Sequence, residues 1–203
     1  MARRTKEDAE KTRKAILVAA LDIISEKGLA NTSLDQIANQ AGVTRGAIYW
    51  HFKNKTELFA VILDEWLKPT HQLSDKWLAQ SKPSLKNLKT YMVEWLSQIH
   101  SNPDLTKLFD ILFFKIELIG DVKTLIDHAN EKADQDALAL QFYLGTLKVQ
   151  GEIHPASDVA LLTITLSSFL MGIAQNWLAR PDSYSLQEKA PPLVEQFFRG
   201  YLP

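Results

Sequence analysis

Apolar positions recur along the chain at three- and four-residue spacing, and no stretch of useful length alternates with period two, so the pattern predicts helices throughout. A first helix is predicted to start at Thr5, with Asp8 three residues on and acids at Glu7 and Glu10. It carries Ile16, Leu17, Ala20, Leu21 and Ile24 on one stripe and stops at Gly28. Ser33 with Gln36 forms a capping box that opens a short second helix, turning Leu34, Ile37 and Ala38 inward and ending at Ala41-Gly42. Thr44 caps a third helix, Arg45 to about His51, with Ile48 and Phe52 facing the core. Asn54 with Glu57 opens a fourth, whose buried side carries Leu58, Ile62, Leu63, Trp66 and Leu67.

Five more helical stretches are predicted at 84–101, 104–119, 122–150, 156–180 and 186–201, punctuated by Pro83, Pro103, Gly120, Gly151-Pro155 and Pro181. The expected fold is all-α, with about nine helices in two parts: a three-helix head over residues 1–55 and a helical body over 56–203. Residues 159–179 carry no charge over 21 positions, long enough to span a bilayer, but six of these are Thr, Ser, Gln or Asn. A buried or subunit-interface helix is the expectation there, not a membrane span. Pro191-Pro192 removes two N–H donors from the last stretch, which is therefore expected to kink or to begin afresh at Pro191.

Residues 34–52 have the layout of a helix-turn-helix. Ala38 is small where two helices approach, Gly42 supplies a positive φ for the turn, Val43 fills the angle, and Ile48 anchors the second helix from beneath. The outer face then offers Thr44, Arg45, Gly46, Tyr49 and His51, a set of donors and acceptors suited to a major groove. Trp50 is expected to pack against the first helix.

Charge sharpens this reading. The net charge of -1 hides ten Lys/Arg against six Asp/Glu in residues 1–55, and 13 against 18 in the remainder. A basic head on an acidic body suits a nucleic-acid-binding module in front of a larger domain, although four excess charges are also compatible with an ordinary solvated surface. Composition removes other classes. No Cys is present, so disulfides, thiolate metal sites and cysteine nucleophiles are excluded. The five His residues form no His-x-x-x-His pair and no Glu-x-x-His pair, and there is no Gly-rich phosphate loop or recognisable nucleophile setting. No enzyme, no metal and no cofactor are expected. The charged opening residues Met1 to Glu10 do not read as a secretory signal, so the cytoplasm is the expected location.

The run Thr44-Arg45-Gly46-Ala47-Ile48-Tyr49-Trp50-His51-Phe52, followed by Lys55 and Leu58, resembles the DNA-binding signature of the TetR family of bacterial transcriptional repressors. Together with Ala2-Arg3-Arg4-Thr5-Lys6 it is similar to the AcrR-type regulators of multidrug efflux pumps. The resemblance implies a repressor that binds palindromic double-stranded operator DNA as a homodimer and leaves it when a hydrophobic small molecule binds. Regulation of another pathway, such as lipid or metabolite sensing, and a ligand-independent DNA-binding scaffold are the alternatives. It also implies that Arg45 and Thr44 meet base edges or phosphates, that Tyr49, His51 and Lys55 hold the DNA backbone, and that Arg3 and Arg4 form a basic arm.

For the effector, the apolar sides of the helices offer Ile62, Trp66, Trp95, Phe109 and Phe113 as walls, with Met171, Gln175 and Asn176 as anchors. In the stretch 104–119, Lys107, Asp110, Glu117 and Asp121 share one face. The dimer is expected from Val159, Leu162, Leu166, Phe169, Leu170 and Ile173, joined by Leu193, Val194, Phe197, Phe198 and Tyr201.

Overall fold

The computed structural model describes residues 6–79 and 82–202. Arg3, Arg4 and the expected helix start at Thr5 lie outside these. Among the described residues there are nine α-helices, one 3-10 turn and no strand: α1 (Lys6–Lys27), α2 (Leu34–Gln40), α3 (Arg45–His51), α4 (Lys55–Leu78), α5 (Leu85–Ser101), α6 (Pro103–Phe114), α7 (Gly120–Val149), α8 (Val159–Ala179), the turn Pro181–Ser183, and α9 (Leu186–Phe198). The helices gather into two units. One holds the residues up to Trp66 with Lys107–Ala129, and the other holds Leu67–Thr106 with Asn130 onward.

In the first unit α1 packs on α2 and α3. Ile16, Leu21 and Ile24 of α1, Ile37 of α2 and Ile48 of α3 are fully buried, which is the apolar stripe of each helix meeting the others. Both halves of the capping box form: the Ser33 N–H donates to Gln36 Oε1 at 2.8 Å, and the Gln36 N–H donates to Ser33 Oγ at 3.3 Å. Gly42 takes φ +66°, and a Cβ there would meet nothing within 4 Å, so the turn requires the backbone conformation and not the missing volume. Thr44 Oγ1 accepts from the Ala47 N–H at 3.2 Å and starts α3. Asn54 Oδ1 accepts from the Glu57 N–H at 2.7 Å and starts α4.

The end of α1 is pinned from a distance. Lys55, at the first position of α4, donates to the carbonyls of Thr32 at 2.8 Å, Ala30 at 3.2 Å and Leu29. This side chain was expected to face DNA; its ammonium instead points back at its own fold. Loss of solvating water holds it below the ordinary lysine pKa. Lys115 does similar work, donating to the Ser25 carbonyl and pairing with Asp110 at 2.5 Å, while its own carbonyl accepts from the Leu29 N–H at 3.3 Å. These contacts account for a difference from the sequence reading, because α6 stops at Phe114 and not near residue 119. Glu117 and Asp121 therefore do not share a helical face with Lys107 and Asp110.

In the second unit α5 packs against α8 and α9. The Ser84 N–H donates to Tyr143 Oη at 2.9 Å, that hydroxyl donates to the Ser84 carbonyl at 3.0 Å, and the Leu85 N–H donates to Glu152 Oε2 at 2.7 Å, so α7 and the loop after it fix the start of α5. Lys89 pairs with Glu195 at 2.7 Å across α5 and α9. The last helix does not begin afresh at Pro191: α9 continues as one helix through Pro191-Pro192. The two prolines, and Gln187 and Glu188, whose carbonyls lose their usual N–H donors to them, are exposed residues, a setting in which water can reach such groups.

Lys55→Ala should lower unfolding free energy by about 1–3 kcal/mol in a denaturant titration, the usual cost of stranding partly buried acceptors. The same change at Lys11, whose partner Glu7 is exposed like itself, should move it by under about 0.5 kcal/mol. Equal effects from the two variants would show that the Lys55 contacts contribute nothing.

Candidate nucleic-acid interface

A short helix presents about half of its surface once its anchor is buried, and α3 is anchored by Ile48, with Phe52 following at its end. What remains outward is Arg45, Gly46, Tyr49 and Trp50. Thr44 is exposed as well, though its hydroxyl oxygen is engaged as the helix cap. His51 is half-buried, with its ring edge-on to Trp50 at 4.6 Å and tilted against Phe52 at 6.1 Å. Trp50 departs from expectation: it is 73% exposed and does not pack into α1. The exposed indole adds apolar area to an otherwise polar face.

The charged groups on this surface have definite partners. Arg45 Nε lies 3.3 Å from Asp35 Oδ1 on α2, and its guanidinium sits 5.5 Å from the centre of the Tyr49 ring. Lys53, which the sequence reading passed over, is exposed beside Phe52, while its N–H donates to Glu57 Oε2 at 2.8 Å. Its signal was available as a second lysine two positions before Lys55; only the three-dimensional fold separates the inward lysine from the outward one.

The effector candidates divide between the two units. In the first, Ile62 and Phe109 are buried, Trp66 and Phe113 are half-buried, and the Phe109 and Phe113 rings lie 5.8 Å apart. In the second, Trp95 is buried, whereas Met171, Gln175 and Asn176 are exposed on α8. Asn176 lines an open groove of about 790 Å³ with Phe169, Ile173, Tyr184 and Leu193, and accepts from Arg180 at 3.5 Å. One side chain that periodicity did not single out is Gln98, one turn beyond Trp95 on α5. Its side-chain oxygen is buried and accepts no hydrogen bond from any described residue.

The faces of α8 also differ from expectation. Leu162, Leu166 and Leu170 are buried within their own unit, as are Val194 and Phe198 of α9. The outward apolar side chains of α8 are Leu161, at 61% exposure, Ile164, at 63%, and Met171. The helix is long and apolar enough to cross a membrane by length and composition, yet its inner face is already occupied by protein.

Known proteins share this layout. Residues 16–62 match the sequence profile of bacterial regulatory proteins of the tetR family, and residues 83–202 match that of the C-terminal region of MAATS-type transcriptional repressors. The chain is 33% identical over 209 residues to the HTH-type transcriptional regulator AcrR of Shigella flexneri, covering all of this chain and 94% of the relative. It is 32% identical over 207 residues to the probable acrEF/envCD operon repressor of Escherichia coli strain K12, covering all of this chain and 92% of the relative. Among solved structures, native NalD, the secondary repressor of the MexAB-OprM multidrug efflux pump in Pseudomonas aeruginosa, superposes with a TM-score of 0.84 at 30% identity over 95% of this chain and 98% of its own. With both halves of the chain matched and full-length relatives above 30% identity, this protein belongs to the TetR family of bacterial transcriptional regulators.

Proposed function

We propose that this protein is a cytoplasmic repressor of multidrug efflux genes that binds a palindromic operator as a homodimer and is released by hydrophobic small molecules. The observation that carries the reading is the outward face of α3, where Arg45, Gly46, Tyr49 and Trp50 stand exposed above a buried anchor. Neither a catalytic step nor a cofactor is needed for such a role. Residues 1–55 are the reading head and 56–203 the effector and dimer part.

On DNA, Arg45 suits the paired acceptors of guanine, Tyr49 and Lys53 suit phosphates, and Gly46 lets the backbone come close. Lys55 acts indirectly by fixing the loop before α2. For the effector, the second unit offers Trp95 as apolar contact, and Gln98 replaces the α8 side chains as its polar anchor, because its oxygen is buried and accepts no hydrogen bond from any described residue; Trp66, Phe109 and Phe113 are the apolar candidates of the first unit. The outward face of α8, with Leu161, Ile164, Ser168 and Met171 at helical spacing, is the dimer surface. Release follows when an effector binds better to a form in which α4 has shifted, so that two recognition helices no longer match grooves about 34–36 Å apart.

Gly46→Ala isolates the DNA reading. The added methyl has only Thr44 Oγ1 as a neighbour, at 4.0 Å, and alanine is favoured over glycine inside a helix by about 1 kcal/mol. The variant should melt at or above the wild-type temperature while its operator affinity in a gel shift drops about tenfold, the size of one lost contact at the bases. Unchanged affinity would remove α3 from the interface.

Gln98→Leu should keep or raise stability, since it replaces an unsatisfied amide, and should weaken binding about tenfold for effectors carrying an N–H or O–H donor. Titration with matched hydrophobic dyes, with and without a donor, measures the difference. Equal loss for both sets would deny the hydrogen bond.

Ile164→Glu places a charge on the outward face of α8 without touching the buried Leu162 and Leu166. Sedimentation should show monomers where the wild type is dimeric, and operator binding should fall with dimerisation. A variant that stays dimeric would move the interface elsewhere.

A further inference from the structure

We propose that Asp35 sets the sequence specificity of DNA binding by keeping its contact with Arg45 Nε on the DNA, so that the outer edge of the guanidinium is aimed at a base edge and not at an arbitrary phosphate. The inference rests on the DNA-binding reading and names a residue outside the recognition helix. Residues 34–52 contain one acid, Asp35, and one Lys or Arg, Arg45. They are ten positions apart in sequence, and the turn at Gly42 brings them together at 3.3 Å.

The geometry of the pair is unusual in two respects. Asp35 Oδ1 is buried and accepts no hydrogen bond from any described residue, so Arg45 Nε is near enough for an ion pair but is not aimed as a donor. The Arg45 side chain is 72% exposed and so remains available to a competing partner. On its other side the Tyr49 ring lies 5.5 Å from the guanidinium. Arg45 is thus held between a carboxylate and a ring, weakly enough to leave and firmly enough to be oriented.

A surface that meets a polyanion gains nothing from a carboxylate through long-range electrostatics, since that charge repels every phosphate equally. What it does supply is discrimination. A phosphate reached by Arg45 draws the guanidinium away from Asp35, one anionic partner in exchange for another, and the exchange is close to neutral. Guanine O6 and N7 are met by the outer edge of the guanidinium with the Nε contact kept, so the base contact is made without giving up the carboxylate. An acid at this place therefore penalises non-specific contacts more than specific ones. A simpler role is a helix-start acid favoured by the α2 dipole, which would affect stability and leave specificity unchanged.

The two roles separate in one experiment with the full-length protein. A duplex is first selected from random-sequence DNA by the wild type; failure to select any consensus would overturn the DNA-binding reading itself. Affinities of Asp35→Asn, Asp35→Glu, Arg45→Ala and the Asp35→Asn/Arg45→Ala double variant are then measured by fluorescence anisotropy, at one salt concentration, on the selected duplex and on a scrambled one. For Asp35→Asn the ratio of selected to scrambled affinity should fall about fivefold, the scale of one exposed ion pair, chiefly through tighter binding of the scrambled duplex. Asp35→Glu should recover part of the ratio, and in the Arg45→Ala background the Asn change should have no further effect on it. A ratio within twofold of wild type for a folded Asp35→Asn protein would overturn the proposal. So would a fall of the same size in the Arg45→Ala background.

Discussion

The carbonyl groups at the end of α1 and in the loop after it are the fixed point of the DNA-binding unit. A helix C-terminus leaves four carbonyls without intrahelical donors, and the loop from Gly28 to Thr32 adds more. Two lysines from distant parts of the chain supply the missing hydrogens: Lys55 reaches Leu29, Ala30 and Thr32, and Lys115 reaches Ser25. Hydrogen bonds from a charged donor contribute about 1.5–3 kcal/mol each when well made, more than the neutral bonds of a turn. The loop so fixed leads directly into Ser33 and its capping box, and hence into α2 and α3. The aim of the recognition helix depends on lysines that do not themselves face outward.

Charge in this unit therefore has two uses, distinguished by burial. Lys55 and Lys115 are partly buried and saturate carbonyls, while Arg45, Lys53 and Tyr49 stay in water where a ligand can reach them. Asp35 joins the two classes, with one oxygen buried and the side chain half exposed. The apolar residues are divided in the same way. The uncharged α8 fills its own unit with Leu162, Leu166 and Leu170 and turns Leu161 and Ile164 outward, and Trp50 is outward on α3. The apolar residues of α8 thus lie on both its faces, one filling its own unit and the other exposed among the described residues.

Much of this was legible in the order of residues. Capping at Ser33, Thr44 and Asn54, the stop at Gly28 and the positive φ at Gly42 are decided by neighbours three or four positions away, and local chemistry is fully written in a sequence. The buried identities of Ile37, Ile48 and Leu58 follow from helical periodicity for the same reason. So do the bounds of α3, Arg45–His51, because its run of residues is short and contiguous.

The tertiary structure decided whatever depends on partners remote in sequence. Lys55 looked like a phosphate ligand because a lysine at a helix start is compatible with either use, and only the arrival of three carbonyls from the preceding loop turns it inward. The end of α6 at Phe114 depends on Leu29 and Ser25 engaging Lys115, some 90 residues away. Leu161 and Leu162 are adjacent and equally apolar; which one is buried is a matter of helix rotation that no single helix encodes. Pro191-Pro192 reads as a possible break until the structure places both prolines on the exposed side of one continuous α9. Sequence by itself fixed where helices begin and what each face is made of, because those are short-range properties; which face turns inward and where each charge points were settled only when distant segments competed for the same space and the same hydrogen-bond acceptors.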